Sequence, residues 1–439
     1  MSALDLITLL VVLAAAFTYL NIHFLKLPST IGLMILAMTM SVTIIIAGYF
    51  IPELQQAAID IMTKFEFTEV LLNVMLSFLL FAGALEVDLK TLREEKWTIL
   101  LLATAGVLIS TFIVGSLMYY VFSLMELPVE FIICLLFGAL ISPTDPIAVL
   151  SLVKKLGVSK NMEIKIAGES LFNDGIGVVV FLTIFGIAFP ELSGHGGGHD
   201  EGINPLSVLT LFLVEVGGGL SLGLALGWVG FQLLKIISND HVELEVLITL
   251  SLVMAGTKTA ELIHVSGPLA MVVMGLFLSQ KGSVQKEEKV TGEYVYKFWH
   301  LVDEALNAIL FILIGLEMIY ISTKFRVDYF TVGMIGIGVV LLGRLIGVWL
   351  PIMFLSIKRK FEKFTISILT WGGLRGGISV ALALSLPEYE VNGYDVTGLI
   401  IALTYSVVVF SILVQGLTIG KLVKFTMNVQ EAERTSEKA

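Results

Sequence analysis

The sequence predicts an all-α polytopic membrane protein, with thirteen transmembrane helices in an inverted repeat and two of them broken and crossing. Three observations predict it. Of 439 residues, 56% are hydrophobic and 15% charged, against about 25% charged in a soluble domain, and the mean hydropathy is +0.94. Apolar runs long enough to span a bilayer recur along the whole chain. Two of these runs, far apart, are interrupted by Pro- or Gly-rich stretches that carry charge, Ser142–Pro146 and Gly372–Gly377.

The first run, 4–24, has no basic segment ahead of it and is read as a retained helix, not a cleavable signal peptide. The others lie near 30–51, 68–87, 97–123, 130–153, 162–189, 205–235, 243–263, 266–280, 300–322, 329–356, 364–387 and 396–424. They are numbered here as spans 1 to 13. Short charged loops separate them, so residues 1–428 read as one transporter domain. Residues 429–439 read as a short tail, polar and disordered from Gln430 to Ala439. Cys134, the one cysteine, permits no disulfide framework and reads as a small core residue.

Loop charge gives the orientation. Loops after odd-numbered spans, with the tail, hold 21 of the 27 Lys and Arg, whereas loops after even-numbered spans hold 3, Lys64, Lys324 and Arg326. Lys258, Arg344 and Arg375 fall inside spans. The positive-inside rule then puts the N-terminus outside and the C-terminus in the cytoplasm, in a cell (inner) membrane. The clean alternation also supports a count of thirteen, because one missed span would scramble it.

The two breaks fall in spans 5 and 12, at Asp145 and Arg375, 230 residues apart. Gly83-Ala84-Leu85-Glu86 in span 3 is echoed by Gly315-Leu316-Glu317 in span 10, the glutamates 231 apart. Both pairs are seven spans apart, and an odd offset reverses direction through the membrane. Spans 1–6 and 8–13 therefore read as inverted repeats, with span 7 as linker. Broken helices at matching positions point to a transporter's binding site.

Pro143 and Pro146 each lack a backbone donor and push the preceding residue out of the helical region, so span 5 unwinds there. The freed carbonyls, Thr144 among them, need partners or a polar cavity. Asp145 suits the positive end of a half-helix, whether as a cap or as part of a site. In span 6, Ser170 and Asp174 share one face and Glu169 and Asn173 the neighbouring one, four residues apart in each case. Gly168, Gly175 and Gly177 leave room for another backbone. The Ser170 hydroxyl, the Asp174 carboxylate and the Thr144 carbonyl are hard oxygen donors suited to a small alkali cation. A membrane-embedded carboxylate that takes either a proton or a cation, never both, gives exchange.

The remaining charges need partners. Arg344 in span 11 needs a carboxylate, and Glu169 is the candidate. Arg375 would offset Asp145 or cap loose carbonyls; snorkelling to the interface is the plainer alternative for either arginine. Lys258 and Glu261 read as a local ion pair. Glu86 reads as a residue of the cytoplasmic mouth and a possible contributor to the site, and Glu317 as an outer-mouth residue. His195, His199, Asp200 and Glu201 could bind a metal, but the intervening glycines favour a solvated loop.

Three stretches together resemble one family. Ser142-Pro143-Thr144-Asp145-Pro146-Ile147-Ala148-Val149, Gly168-Glu169-Ser170-Leu171-Phe172-Asn173-Asp174 and Gly372-Gly373-Leu374-Arg375-Gly376-Gly377 are similar to the monovalent cation/proton antiporters. The likeness is greatest to the branch of bacterial NhaP-type antiporters and animal sodium/proton exchangers, over nearly the whole chain. The resemblance implies a thirteen-helix NhaA-like fold with a mobile core of helices 4–6 and 11–13 and a dimerisation part formed by the rest. It implies a homodimer and an elevator-like movement. It implies Asp174 as the ion-carrying carboxylate beside Asn173, with Ser170 and the Thr144 backbone as Na+ ligands, Asp145 nearby, and Glu169 with Arg344 as a buried pair. The Asn173-Asp174 order resembles the electroneutral members, not those with adjacent aspartates. Some members carry an acid in mid-helix 3, where this chain reads Leu79-Leu80-Phe81-Ala82-Gly83.

The expectation is thus a sodium/proton antiporter, Na+ or Li+ against H+, with monovalent cations and the lipid bilayer as partners, no cofactor and no nucleic acid. Potassium/proton exchange is the same-class alternative. A passive cation channel has no use for inverted broken helices, and an intramembrane enzyme would need a His/Asp/Ser set or metal-ligand spacing that does not accompany the acids.

Overall fold

Apolar residues without water must satisfy their backbone groups within the segment, and here they do so as helices. The computed structural model describes residues 3–64, 71–191, 205–236, 241–284, 290–324 and 326–436. The His195–His199 segment lies outside them. Helices α1 (Ala3–Leu20), α2 (Ser29–Gly48) and α3 (Pro52–Lys64) are followed by α4 (Leu76–Glu86), α5 (Leu89–Leu101) and α6 (Val107–Leu124). Next come α7 (Phe131–Leu140), α8 (Ile147–Leu156), α9 (Lys160–Ala188), α10 (Pro205–Ile236), α11 (Val242–Leu262) and α12 (Gly267–Val284). The chain ends with α13 (Val290–Lys324), α14 (Val327–Ser356), α15 (Thr365–Trp371), α16 (Gly377–Leu384), α17 (Val396–Phe410) and α18 (Gly416–Ser436).

Helical segments lie over each predicted span. Among the described residues, seven helical stretches are both long and apolar enough to cross a bilayer, and shorter apolar helices occupy Leu76–Glu86, Phe131–Leu140 and Gly267–Ser279. Four features differ from the sequence reading. Helix α3 falls in a predicted loop: Pro52 suits a first helical position, and its mix of polar and apolar residues hides it from a search for apolar runs. Helix α13 starts ten residues before span 10, where Glu293 and Lys297 pair at 2.8 Å one turn apart. The tail, expected to be disordered, continues α18 to Ser436, because Gln430-Glu431-Ala432-Glu433-Arg434 are good helix formers. A small hairpin, β1 (Glu390–Val391) and β2 (Tyr394–Asp395), turns at Asn392 and Gly393. Both have positive φ, 53° and 76°, as a tight two-residue hairpin turn demands.

The helices that carry the site are packed tightly. Phe137, Leu140, Val179, Ala381 and Leu399, from α7, α9, α16 and α17, are fully buried. Between α5 and α6 a π-helical turn, Leu102–Gly106, brings Gly106 against α14, where the Gly347 carbonyl lies 3.0 Å from the place a Cβ would take.

Candidate ion-binding site at the paired helix breaks

Span 5 is α7 and α8 with residues 141–146 unwound between them, and span 12 is α15 and α16 with residues 372–376 unwound. The two breaks meet: the Asp145 amide donates to the Leu374 carbonyl at 2.8 Å, an isolated antiparallel bridge. Each half-helix leaves polar ends that need partners. Asp145 serves the positive end of α8. Its Oδ1 accepts the Ile147 amide at 2.9 Å, capping α8. Its Oδ2 lies 2.8 Å from the place of a Cβ on Gly376, the residue that precedes α16.

Arg375 serves the negative end of α7. Its guanidinium donates to the carbonyls of Ser142 and, at 3.0 Å, Pro143, and the residue is 2% exposed. Of the two roles open to it in the sequence, carbonyl capping is the one its contacts fill, and burial removes the snorkelling alternative. Its backbone is held by a relay the sequence reading missed. The Arg375 amide donates to Ser411 Oγ at 2.9 Å, Ser411 to Gln415 Oε1 at 2.7 Å, and Gln415 Nε2 to the Trp371 carbonyl at 3.1 Å. Ser411 and Gln415 bound a π-helical turn between α17 and α18. Two polar residues in an otherwise apolar run were the available signal.

Helix α9 supplies the other wall. Ser170 Oγ donates to the Thr144 carbonyl. Asn173 brackets Thr144, accepting its amide at 3.2 Å and donating Nδ2 to its Oγ1 at 2.8 Å. A Cβ on Gly177 would meet the Pro143 ring, one on Gly168 the Leu92 and Ile99 side chains, and one on Gly175 would lie 3.6 Å from the Leu269 Cα. The backbone of the Leu269 segment thus comes close to Gly175, as the sequence reading expected of these glycines. Asp174, one turn beyond Ser170, is 8% exposed and has no hydrogen bond or ion pair among the described residues. It feels the Asp145 carboxylate electrostatically.

Glu169 and Arg344 form a two-pronged pair: NH1 donates to Oε1, and NH2 to Oε2 at 3.0 Å, with a further bond from NH2 to the Leu369 carbonyl at 2.9 Å. Thr144, Glu169, Ser170, Arg344, Gly372 and Gly373 line a small cleft beside the breaks. Glu86 lies elsewhere, 2.8 Å from His300 Nδ1 and partly exposed, with no contact to the Thr144 cluster. Lys258 and Glu261 pair at 2.6 Å on the surface, as the local reading had it. Glu317 is 5% exposed, and its neighbours on α13, Leu316 and Ile319, are buried with it.

Interrupted apolar helices joined at their breaks, with carboxylates gathered beside them, define a secondary transporter of the membrane. The chain belongs to the sodium/hydrogen exchanger family, whose transmembrane region matches residues 10–425. This is a family of multi-pass transporters, not of enzymes. The chain is 45% identical to the Na(+)/H(+) antiporter NhaP of Pseudomonas aeruginosa, over 98% of this chain and 99% of that one. It is 34% identical to the Na(+)/H(+) antiporter NhaH of Halobacillus aidingensis, over 95% and 97%. The sodium proton antiporter MjNhaP1 of Methanocaldococcus jannaschii, solved at pH 8, shares the fold with a TM-score of 0.73 and 21% identity, covering 96% of this chain and 97% of that one.

Proposed function

We propose that the protein is a sodium/proton antiporter that exchanges one Na+ or Li+ for one H+ without net charge movement, by alternating access to a single site at Asp174. The observation that carries this is the state of Asp174: a buried carboxylate with no hydrogen bond or ion pair among the described residues, one turn from Ser170, whose hydroxyl donates to the carbonyl of Thr144 in the unwound stretch. Na+ would be held by the Asp174 carboxylate, Ser170 Oγ and the Thr144 carbonyl. Asn173 would fix Thr144, and Asp145 would set the local field. Cation binding would turn the Ser170 hydroxyl away from the Thr144 oxygen, freeing both oxygens. A proton or a cation neutralises Asp174 equally well, so the carrier has the same charge in either loaded form.

The same reading takes the chain as thirteen crossings with its N-terminus outside and its C-terminus in the cytoplasm. A core of helices 4–6 and 11–13 would move against a dimerisation part in a homodimer. The loop-charge bias and the facing breaks support this arrangement.

The test is transport in reconstituted vesicles. Wild type should show Na+-dependent proton flux that is insensitive to an imposed voltage, and Asp174→Asn should abolish it while the protein elutes and melts as a folded species. Flux retained by Asp174→Asn would remove Asp174 from its role, and voltage-dependent wild-type flux would remove the one-for-one count.

A further inference from the structure

Outside the site, a hydrogen bond from α17 to α13 crosses between the two parts that the exchange reading takes to move against each other. The bonds of the centre stay within spans 4–6 and 11–13, as from Ser170 to Thr144 and from Arg344 to Glu169. Others stay within the rest, as from Trp299 to Thr249 at 3.0 Å. The Tyr405 hydroxyl, on α17 of span 13, instead donates to the Ile314 carbonyl, on α13 of span 10, at 3.1 Å, and both residues are buried.

Each end of this bond is tied to its own part. On α13 the Gly315 carbonyl accepts Ser41 Oγ from α2 at 2.8 Å, and a Cβ on Gly315 would collide with Ala37 of the same helix. Ile314 is thus fixed against span 2. On α17, Leu403 and Ser406 fill the places that Cβ atoms on Gly336 and Gly333 of α14 would take, so Tyr405 travels with span 11. Glu317 follows Ile314 by three residues, on the same face of α13 and nearer the end that the loop charges put outside. It is buried and makes no side-chain hydrogen bond or ion pair among the described residues. Its carboxyl is close enough to the Tyr405 hydroxyl to act on it electrostatically. A buried polar group left unpaired costs free energy unless another state pairs it. Protonated or ionised, a carboxyl can accept from a hydroxyl.

We propose that Tyr405 is a two-position latch on the movement of the core: its hydroxyl holds the Ile314 carbonyl in the conformation of this structure and passes to the Glu317 carboxyl when the core shifts outward. This rests on the moving core proposed above. Packed helices move between discrete positions, in the larger cases by about one turn along a neighbour. Acceptors three residues apart on α13 are spaced for such a step. Tyr405 lies outside the cation site, so it is a positioning residue that sets the balance between the two access states.

The experiment follows the full chain in nanodiscs by the distance between two spin labels, on Tyr49→Cys just beyond the outer end of α2 and on Phe330→Cys near the start of α14, both exposed positions. Cys134→Ala removes the native thiol, and excess unlabelled chain isolates distances within one chain. The otherwise unchanged protein should show two distances whose balance shifts with Na+. Tyr405→Phe should lower the share of the conformation in this structure about fivefold relative to the other, the worth of one neutral hydrogen bond. Ile314 keeps its helix bond, so the variant orphans no acceptor. Glu317→Leu should move the balance about as far the other way, and Glu317→Gln, which keeps an acceptor, should leave it within about twofold. An unchanged balance in Tyr405→Phe or in Glu317→Leu overturns the two-position latch. So do shifts in the same direction in both, which mark the two side chains as packing alone. A single distance in the otherwise unchanged protein, with and without Na+, overturns the moving core itself and is told apart by that control.

Discussion

Replacing Arg344 by methionine keeps most of the side-chain volume and strands Glu169, which is 2% exposed. Glu169 then loses both bonds from the guanidinium, and the Leu369 carbonyl loses its donor. Breaking a buried ion pair on one side costs about 3–5 kcal/mol, because the remaining charge stays desolvated. At roughly 2 °C per kcal/mol for a large domain, the melting temperature should fall by roughly 5–10 °C. Glu169→Gln keeps one acceptor for the guanidinium and should cost about 1.5–3 kcal/mol, the worth of one charged hydrogen bond. The double variant removes both charges and should recover about 2–3 kcal/mol of the summed loss, as residues in direct contact do. Thermal unfolding of purified protein, followed by intrinsic fluorescence with and without Na+, reads all four corners of the cycle. If the two single losses simply add, the pair is not coupled and the charge bookkeeping that joined span 6 to span 11 is wrong.

Gly177→Ala must displace the Pro143 ring and, through it, the Thr144 carbonyl; overpacking of this kind costs about 1–3 kcal/mol, and the KM for Na+ should rise. An unaltered KM would separate the Pro143 position from the ligand shell. At the loop between α4 and α5, the Lys160 ammonium bonded to Asp88 at 2.7 Å holds that carboxyl below the usual carboxylate range. A depressed folded value means the contact helps the fold above the ordinary carboxylate titration, and this help is lost as pH falls through the lowered value. Lys160→Met should move the Asp88 midpoint up toward the ordinary carboxylate range, read by carboxyl carbon NMR in nanodiscs, with little change in melting at neutral pH because the pair is exposed. A midpoint that stays low would show that Lys160 does not hold Asp88.

What could be read from the chain followed hard chemical constraints. Pro143 and Pro146 cannot continue a helix, so the break at 141–146 was visible, and a lone arginine at Arg344 demanded an acid within reach. What could not be read depended on relative placement. Nothing in the spacing told whether Arg375 would face Asp145 or the carbonyls of Ser142 and Pro143; the bridge from Asp145 to Leu374 decides it by pointing the two side chains to opposite ends of the half-helices. Helix α3 and the Asn392-Gly393 hairpin were missed for another reason. The search was for long apolar runs, and both are short, polar-flanked elements, although Asn-Gly between β-forming residues is a hairpin signal in its own right.

The compensation of charge around the breaks bears on which acid carries the ion. Glu169 is neutralised by Arg344, and Asp145 accepts the Ile147 amide at the start of α8, whose partial charge favours an anion. Arg375 is held by the carbonyls at the end of α7. A group already compensated in this way can release or take a proton only by also breaking its internal bonds, a cost of a few kcal/mol in each cycle. Among the described acids at the breaks, Asp174 alone has no such bond to break, so proton and cation compete there against each other and not against the fold. This supports Asp174 as the exchanging group on the proposed reading. It also implies that a partner placed beside it, as by Ser170→Lys, would lock the carrier by satisfying the carboxylate permanently, leaving a folded protein with neither Na+ binding nor proton release on Na+ addition.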